Sequence, residues 1–352
     1  MCHNCSSQPR GRLIGLSEAV GAVLAHDLTE VRPGCFKGPA FKKGHLVREE
    51  DLDRLARLGK RHLYVLDLDE GLLHEDDAAL VLAGALAGEG VTFNPQPAEG
   101  KINLKAAHDG LLKVNVEALT EFNLVEGVMC AGRHTNTRVK QGEIVAGARA
   151  IPLVVPREQV ETAAGLARAV GGVFSVREMA RPRTGLIITG HEVYHGLIED
   201  RFERIMVPKL ESFGCPVIRV SLAPDEVEFI AATIIENIRA GAELVVLTGG
   251  LSVDPDDVTR AGVLRAGGAQ VLYGSSVLPG AMLLLARING TPVVGVPACG
   301  LFHERTIFDL VLPRLLAGEN LTRRDLAVLG HGGLCLNCAE CRFPCCPFGK
   351  AG

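Results

Sequence analysis

A glycine- and aspartate-rich loop holds the side chains best suited to binding a phosphate and a metal ion. It runs Thr248-Gly249-Gly250-Leu251-Ser252-Val253-Asp254-Pro255-Asp256-Asp257. The glycines let backbone N–H groups approach an anion, Ser252 adds a hydroxyl, and a helix starting near Asp257 would offer its positive end. The carboxylates are ligands that Mg²⁺ prefers. The alternative is a strand-to-helix turn in which Asp256 or Asp257 caps the helix.

Closely spaced cysteines near the carboxyl end form a second reactive group. Cysteines occupy positions 335, 338, 341 and 345, a C-x2-C-x2-C-x3-C spacing typical of bacterial iron–sulfur sites. The usual proline is Pro347, one residue late, because Cys346 intervenes. We therefore predict metal ligation by Cys335, Cys338, Cys341 and Cys345. An iron–sulfur cluster, a zinc knuckle and a free-thiol or disulfide tail remain open, and Cys2 and Cys5 could complete or double the site.

A His-Glu-x-x-His motif at His191–His195 matches the zinc-protease signature, which requires both imidazoles on one helix face. Gly190 and Gly196 bracket the motif, and a buried strand precedes it directly. We expect no helix here, and therefore no protease zinc site.

The elements that must position the glycine-rich loop follow Gly185. Short apolar runs at 186–188, 244–247 and 293–296 alternate with helical spacing over 202–213 and 227–238. This alternation predicts an α/β domain of three layers, with helices on both faces of a parallel sheet. Ligands bind such sheets at the carboxyl ends of the strands, so the loops after Thr189, Leu247 and Val296 should share one crevice.

Proline- and glycine-rich stretches divide the chain into four predicted segments. Residues 1–95 form a small α+β unit, residues 96–182 a β-rich segment, residues 183–330 the α/β domain and residues 331–352 a cysteine-rich metal-binding tail.

Composition narrows the possible partners and compartment of the 352-residue chain. A net charge of −4 lacks the cationic excess of nucleic-acid-binding proteins. The longest apolar tract, residues 78–88, is too short to cross a bilayer. The amino terminus has no apolar signal region, so we expect a cytoplasmic protein without nucleic-acid or membrane partners. Structural disulfides are unfavourable in that compartment, which makes the 11 cysteines notable.

The ordered set of loops from about Arg183 to Glu319 resembles the molybdopterin-binding domain shared by molybdopterin molybdenumtransferases and molybdopterin adenylyltransferases. The matching pieces are Thr189-Gly190-His191-Glu192-Val193, Ala223-Pro224-Asp225-Glu226, Thr248–Val253 with Asp257, Leu278-Pro279-Gly280 and Gly295-Val296-Pro297. Residues 18–28 also look like the opening of the molybdenumtransferases.

The resemblance implies molybdopterin, or its adenylylated form, as the ligand. It implies a pterin phosphate on the glycine-rich loop, Mg²⁺ assistance, Asp257, Asp256 and Glu192 as catalytic residues, a possible client molybdoenzyme and a possible homo-oligomer. The cofactor-binding residues implied are Thr189, Gly190, Thr248, Gly249, Gly250, Ser252, Pro279, Gly280 and Pro297.

Three departures from the family pattern favour binding over molybdate insertion. His191 stands where the family's Thr-Gly-Asp-Glu motif has aspartate. The family's Pro-Gly-Lys-Pro motif is Pro-Gly-Ala-Met at residues 279–282, so the lysine is missing, and its Pro-Gly-Asn-Pro motif is Pro-Ala-Cys-Gly at residues 297–300. A divergent molybdenumtransferase and a cofactor carrier therefore both remain possible. A metal-dependent nucleotide pyrophosphatase, whose loop is similar to 249–259, and a non-catalytic, redox-responsive pterin-binding protein are the alternatives.

Overall fold

The computed structural model describes residues 12–32, 36–65, 71–98 and 100–350. Cys2 and Cys5 lie outside the described residues, so their predicted part in a metal site stays a prediction. The described residues divide into two compact units. The first unit contains the described residues up to 135 and residues 139–177. The second unit contains residues 136–138 and the described residues from 178 onward. Over the described ranges, every helix is too short or too polar to span a membrane.

Up to residue 177, short strands alternate with helices. The strands are β1 (Arg12–Gly15), β2 (Leu28–Arg32), β3 (Phe36–Phe41), β4 (His62–Val65), β5 (Leu72–His74), β6 (Val91–Phe93), β7 (Lys101–Ala106), β8 (Gly110–Val114), β9 (Val128–Gly132), β10 (Thr137–Val139), β11 (Ile144–Ala150), β12 (Val154–Pro156) and β13 (Phe174–Arg177). The helices are α1 (Leu52–Arg57), α2 (Glu75–Leu86), α3 (Val116–Leu124) and α4 (Arg157–Ala169).

Two hydrophobic clusters organise the first unit, one within residues 14–65 and one within residues 73–176. Helix α2, predicted to belong to the amino-terminal segment, packs in the second cluster with β7 and β11. The segment 96–182 has the predicted strands, but it also contains α3 and α4. Helix α4 buries Val160, Ala163, Ala164 and Ala167, which recur at helical spacing. Because three of these side chains are alanines, the sequence shows only a weak apolar stripe there.

The second unit contains the predicted α/β domain. Its strands are β14 (Thr184–Thr189), β15 (Val217–Ala223), β16 (Leu244–Thr248), β17 (Ala269–Tyr273), β18 (Leu284–Ile288) and β19 (Thr291–Val296). Its helices are α5 (His191–Tyr194), α6 (Phe202–Ser212), α7 (Val227–Arg239), α8 (Thr259–Arg265), α9 (Ile307–Leu316) and α10 (Arg323–Val328).

The strands form one sheet in the order β15-β14-β16-β19-β18-β17. The first four run parallel, whereas β18 is antiparallel to both of its neighbours. Strand β14 is buried on both faces: Leu186 and Ile188 pack in one cluster and Ile187 in the other. The prediction of a parallel sheet covered on both faces is confirmed for β15, β14, β16 and β19, whereas β17 and β18, which pair antiparallel, were not predicted.

A one-turn helix occupies the His-Glu-x-x-His motif, so the prediction of no helix there was wrong. Helix α5 spans His191–Tyr194, and the backbone N–H of His195 donates to the carbonyl of His191 at 3.0 Å. The carboxylate of Asp225 receives the first N–H of this turn, which lets it form despite the flanking glycines.

Candidate functional site

A cavity of about 730 Å³ lies at the carboxyl ends of the parallel strands. Its walls come from the loops that follow β14, β15, β16 and β19 and from the loop that precedes β18. The lining residues are Glu192, Asp225, Gly250, Leu251, Ser252, Asp254, Asp256, Asp257, Leu278, Pro279, Gly280, Ala281, Met282, Pro297, Ala298 and Cys299. The loops expected to share a crevice thus meet in one pocket.

All three residues predicted to be catalytic, Glu192, Asp256 and Asp257, line this pocket. So do five of the nine predicted cofactor-binding residues: Gly250, Ser252, Pro279, Gly280 and Pro297. The other four, Thr189, Gly190, Thr248 and Gly249, lie beside the pocket wall without forming part of its lining.

Thr189 and Gly249 instead support the turn that carries the pocket residues. Gly249 and Gly250 have φ values of 88° and 57°, a left-handed conformation that favours glycine. A Cβ on Gly249 would collide with the carbonyl oxygen of Thr189. The buried Thr189 hydroxyl donates to the Thr248 carbonyl at 3.0 Å, and the Thr259 hydroxyl donates to the Gly249 carbonyl at 3.1 Å. Two buried hydroxyls therefore hold the turn from behind.

The aspartates after the turn fix the loop rather than the next helix. Helix α8 begins at Thr259, and no side chain caps its amino end. Asp257 instead accepts a hydrogen bond from the backbone N–H of Ser252 at 2.7 Å, and Asp254 accepts one from the N–H of Asp256 at 3.1 Å. The simple capping alternative thus does not describe these carboxylates.

Asp225 is a charged lining residue that was not among the predicted site residues. It follows β15, whose last residue, Ala223, lies in register with Thr189 at the end of β14. One carboxylate oxygen accepts the N–H of His191 at 2.8 Å, and the other, Oδ1, is buried without a hydrogen-bond partner among the described groups. Burial, reinforced by the nearby carboxylates of Asp257 and Glu192, raises the pKa of Asp225.

The loop before β18 closes the pocket opposite the glycine turn. The Leu278–Pro279 peptide is cis, and the carbonyl of Pro279 accepts the N–H of Ile307 at 3.2 Å. Gly280 has a φ of 123° and lies so close to Ile307 that a Cβ would collide with it. Ala281 and Met282 follow, so this wall presents apolar side chains where the resembling family has a lysine.

The cysteine segment lies in the same unit and packs on the same core as the sheet. Phe348 is buried in the cluster on one face of the sheet, with Cys335, Phe343 and Cys346 half-buried against it. All five cysteines of the segment are free thiols. Within the described residues, no three His, Cys, Asp or Glu side chains are gathered closely enough to hold a metal ion.

Two family models match the chain. Residues 185–317 match the model described as "Probable molybdopterin binding domain", and residues 13–67 match a domain of unknown function. The first match covers the sheet and the loops that line the pocket.

Relatives with similar sequences fall into two groups. A molybdopterin molybdenumtransferase of Haemophilus influenzae is 28% identical over 314 residues, covering 85% of this chain and 71% of the relative. A CinA-like protein of Fervidobacterium nodosum is 29% identical over 92 residues, covering 26% of this chain and 22% of the relative. The chain thus spans about a fifth of the length of that CinA-like protein.

A solved structure of the molybdopterin biosynthesis enzyme MoaB from Thermus thermophilus is 19% identical, with a TM-score of 0.33. That match covers 40% of this chain and 99% of the MoaB chain. The family match agrees with the loops quoted from the sequence: residues 185–317 of this chain, which contain the sheet and the pocket loops, match the model of a probable molybdopterin-binding domain.

Proposed function

We propose that the chain binds molybdopterin, or its adenylylated form, in the pocket at the carboxyl ends of the sheet. The observation that carries this proposal is the convergence of the glycine turn, Ser252 and Asp257 on one cavity inside the segment that matches the molybdopterin-binding family. The protein would then act in molybdenum cofactor biosynthesis or maturation.

The phosphate of the pterin would lie against the backbone N–H groups of Gly250 and Leu251, because the N–H of Ser252 already donates to Asp257. Asp257 holds the N–H of Ser252, which keeps this loop in one conformation before a ligand arrives. The Ser252 side chain is exposed and supplies one more donor. A preformed set of donors binds an anion without the entropy loss of ordering the loop.

Mg²⁺ would accompany the phosphate, because the pocket wall is acidic. Glu192, Asp225 and Asp257 bring carboxylates to one cavity, and the orphaned Oδ1 of Asp225 is a free oxygen of the kind that Mg²⁺ binds. Among the lining residues, all of which lie in the described part of the chain, there is no lysine or arginine. A bound Mg²⁺ would supply the positive charge that a phosphate requires here.

We propose binding and delivery rather than molybdate insertion. Ala281 and Met282 offer no cation to an oxyanion such as molybdate, and Cys299 stands in the loop after β19 where the resembling family has asparagine. A carrier that holds the pterin and delivers it to a client molybdoenzyme in the cytoplasm fits these residues.

The test is co-elution of molybdopterin with the full chain, with and without Mg²⁺. We expect retention that requires Mg²⁺ and that falls by about 10-fold or more in Asp257→Asn, because a charge-assisted contact contributes about 1.5–3 kcal/mol. Glu211→Gln, which removes an exposed carboxylate of α6 outside the pocket, serves as the matched control and should bind like the parent.

No retention of molybdopterin by the folded parent protein would contradict the proposal. Metal-dependent release of phosphate from a dinucleotide, without pterin retention, would instead favour the pyrophosphatase alternative. Molybdate insertion by the chain would contradict the carrier role while leaving pterin binding intact.

A further inference from the structure

The cysteine segment is a loop anchored at both ends. At its start, the N–H of Cys335 donates to the carbonyl of Leu278 at 2.8 Å, and the N–H of Leu278 donates to the carbonyl of Gly333 at 2.9 Å. At its end, Phe348 is only 4% exposed, and the N–H of Gly349 donates to the carbonyl of Gly332 at 2.9 Å. Residues 335–348 between these anchors contain no helix or strand.

Four of the five thiols of this loop line one cavity of about 410 Å³: Cys335, Cys338, Cys341 and Cys346. Cys345 is exposed and does not line it. The sequence agrees with this division, because the proline that directly follows the last ligand in bacterial iron–sulfur sites here follows Cys346. The set facing the cavity is thus C-x2-C-x2-C-x4-C-P, not the set chosen from the C-x2-C-x2-C-x3-C spacing.

The surroundings of the cavity suit an anionic cluster shielded from water. Phe302, Leu336 and Phe343 line it with apolar surface. Arg305 and Arg342 also line the cavity and bring positive charge to it. Cationic donors beside thiolates and an apolar wall are the protein features that tune such clusters.

The space among the thiols decides between a cluster and a single ion. In a structural zinc site four sulfurs lie about 2.3 Å from the ion and enclose it completely. No three Cys, His, Asp or Glu side chains of the described residues lie close enough together to hold one metal ion, so the thiols do not form such an enclosed site. Four of them instead line a cavity of about 410 Å³, which favours a group larger than one ion.

We propose that Cys335, Cys338, Cys341 and Cys346 are the ligands of an iron–sulfur cluster, and that Cys345 is not a ligand. This site is separate from the pterin pocket, although two stretches of chain contribute residues to both. Leu278 borders the pterin pocket and pairs with Cys335, while the stretch 297–305 lines the pterin pocket at its start and the thiol cavity at its end.

The experiment is iron and acid-labile sulfide analysis, with absorption and electron paramagnetic resonance spectra, on the full chain purified anaerobically and reconstituted with iron and sulfide. The parent should contain iron and acid-labile sulfide in equal amounts, about two or four of each per chain, because 2Fe–2S and 4Fe–4S clusters both take four cysteines. Cys345→Ser is the matched control for Cys346→Ser, because the two residues are adjacent. We expect the former to retain the cluster and the latter to lose most of it.

Cys346→Ser could lose the cluster because the fold is disturbed, since Cys346 packs on the core. Cys338→Ser is therefore a second test, because Cys338 is exposed and its replacement should leave the fold intact. It should lose the cluster while its circular dichroism and its molybdopterin binding match those of the parent. Stoichiometric zinc without iron, or cluster loss in Cys345→Ser with retention in Cys346→Ser, would overturn the proposal. Failure of molybdopterin binding in every variant would instead count against the pterin pocket alone.

Discussion

At the scale of single residues, Asp225 is the side chain on which the proposed Mg²⁺ site depends most. Its Oδ1 is buried without a partner among the described groups, and its pKa is raised by burial and by Asp257 and Glu192. A buried acceptor without a hydrogen bond costs free energy of folding. Such a group is expected where a cation or a donor of the ligand completes it.

Replacement of Asp225 by asparagine should weaken binding without weakening the fold. The unfolded carboxyl ionises at its ordinary pKa and the folded one at a higher pKa, so ionisation opposes folding as the pH rises through the raised value. Thermal unfolding of Asp225→Asn at pH 7 should therefore occur at the same temperature as the parent or a higher one. Any difference in unfolding temperature between the variant and the parent should vanish below the ordinary pKa of an aspartate.

Mg²⁺-dependent ligand affinity of the same variant should fall by about 10-fold or more, because a charged partner of the cation is lost. In the parent, the affinity should also weaken as the pH falls through the raised pKa, since protons and Mg²⁺ compete for one carboxylate. A variant that unfolds at a lower temperature yet binds normally would show that Asp225 is a structural residue.

At the scale of elements, the glycine turn after β16 determines where the loop donors point. Gly249 has a left-handed backbone, and a Cβ there would also collide with neighbouring atoms. Gly267 after α8 has a similar φ of 90°, but a Cβ there would meet no atom within 4 Å. The two glycines separate backbone strain from collision.

Gly249→Ala should destabilise the protein more than Gly267→Ala. Backbone strain alone should cost about 1–2 kcal/mol at Gly267, and the collision with the Thr189 carbonyl should add about 1–3 kcal/mol at Gly249. Urea unfolding of both variants measures the two free energies. Ligand affinity should fall only in Gly249→Ala, and equal stability losses in the two variants would argue against a tightly packed turn.

Helix α10, which precedes the cysteine loop, depends on one ionised carboxylate. Although partial burial opposes ionisation, hydrogen bonds from Thr322 and Arg314 lower the pKa of Asp325 to about 2. The Thr322 N–H donates to Asp325 at 2.9 Å, and Arg314 lies 2.7 Å from its other oxygen. This stabilisation is complete above the ordinary pKa of about 3.9 and is lost as the pH falls towards 2.

Asp325→Asn should therefore lower the free energy of unfolding at pH 7 by roughly 1–2 kcal/mol, with a smaller difference at pH 2–3. Chemical denaturation across this pH range measures it. Glu236→Gln, which breaks an exposed pair with Arg219, is the control and should change stability by about 0.5 kcal/mol or less. A pH-independent loss in Asp325→Asn would show that the charge is not what stabilises α10.

The sequence predicted those elements whose apolar pattern is continuous. Strands β14, β16 and β19 are buried on both faces, and α7 carries a complete apolar stripe, so their positions follow from the residues. Helix α4 was not predicted because alanines form most of its buried face. Helix α5 was not predicted because its single turn is stabilised by Asp225, which lies in the loop after β15. Interactions between distant parts of the chain are not visible in a local pattern.

At the scale of the whole molecule, the second unit carries two chemically distinct cavities, one lined by carboxylates and one by thiols. The position of the proposed pterin pocket was predictable, because parallel strands end at one sheet edge. Asp225 was not assigned because its loop has no glycine, although the end of β15 in register with Thr189 was the available signal. The thiol set was not predictable from spacing, because adjacent Cys345 and Cys346 differ only in which one faces the cavity.

The most direct measurement is the crystal structure of the full chain with molybdopterin and Mn²⁺ in place of Mg²⁺. The account predicts the pterin phosphate within hydrogen-bond distance of the N–H groups of Gly250 and Leu251. It also predicts the metal on the carboxylate of Asp225, between that side chain and the phosphate. A pterin bound elsewhere, or a phosphate in the pocket without contact to the glycine turn, would contradict it.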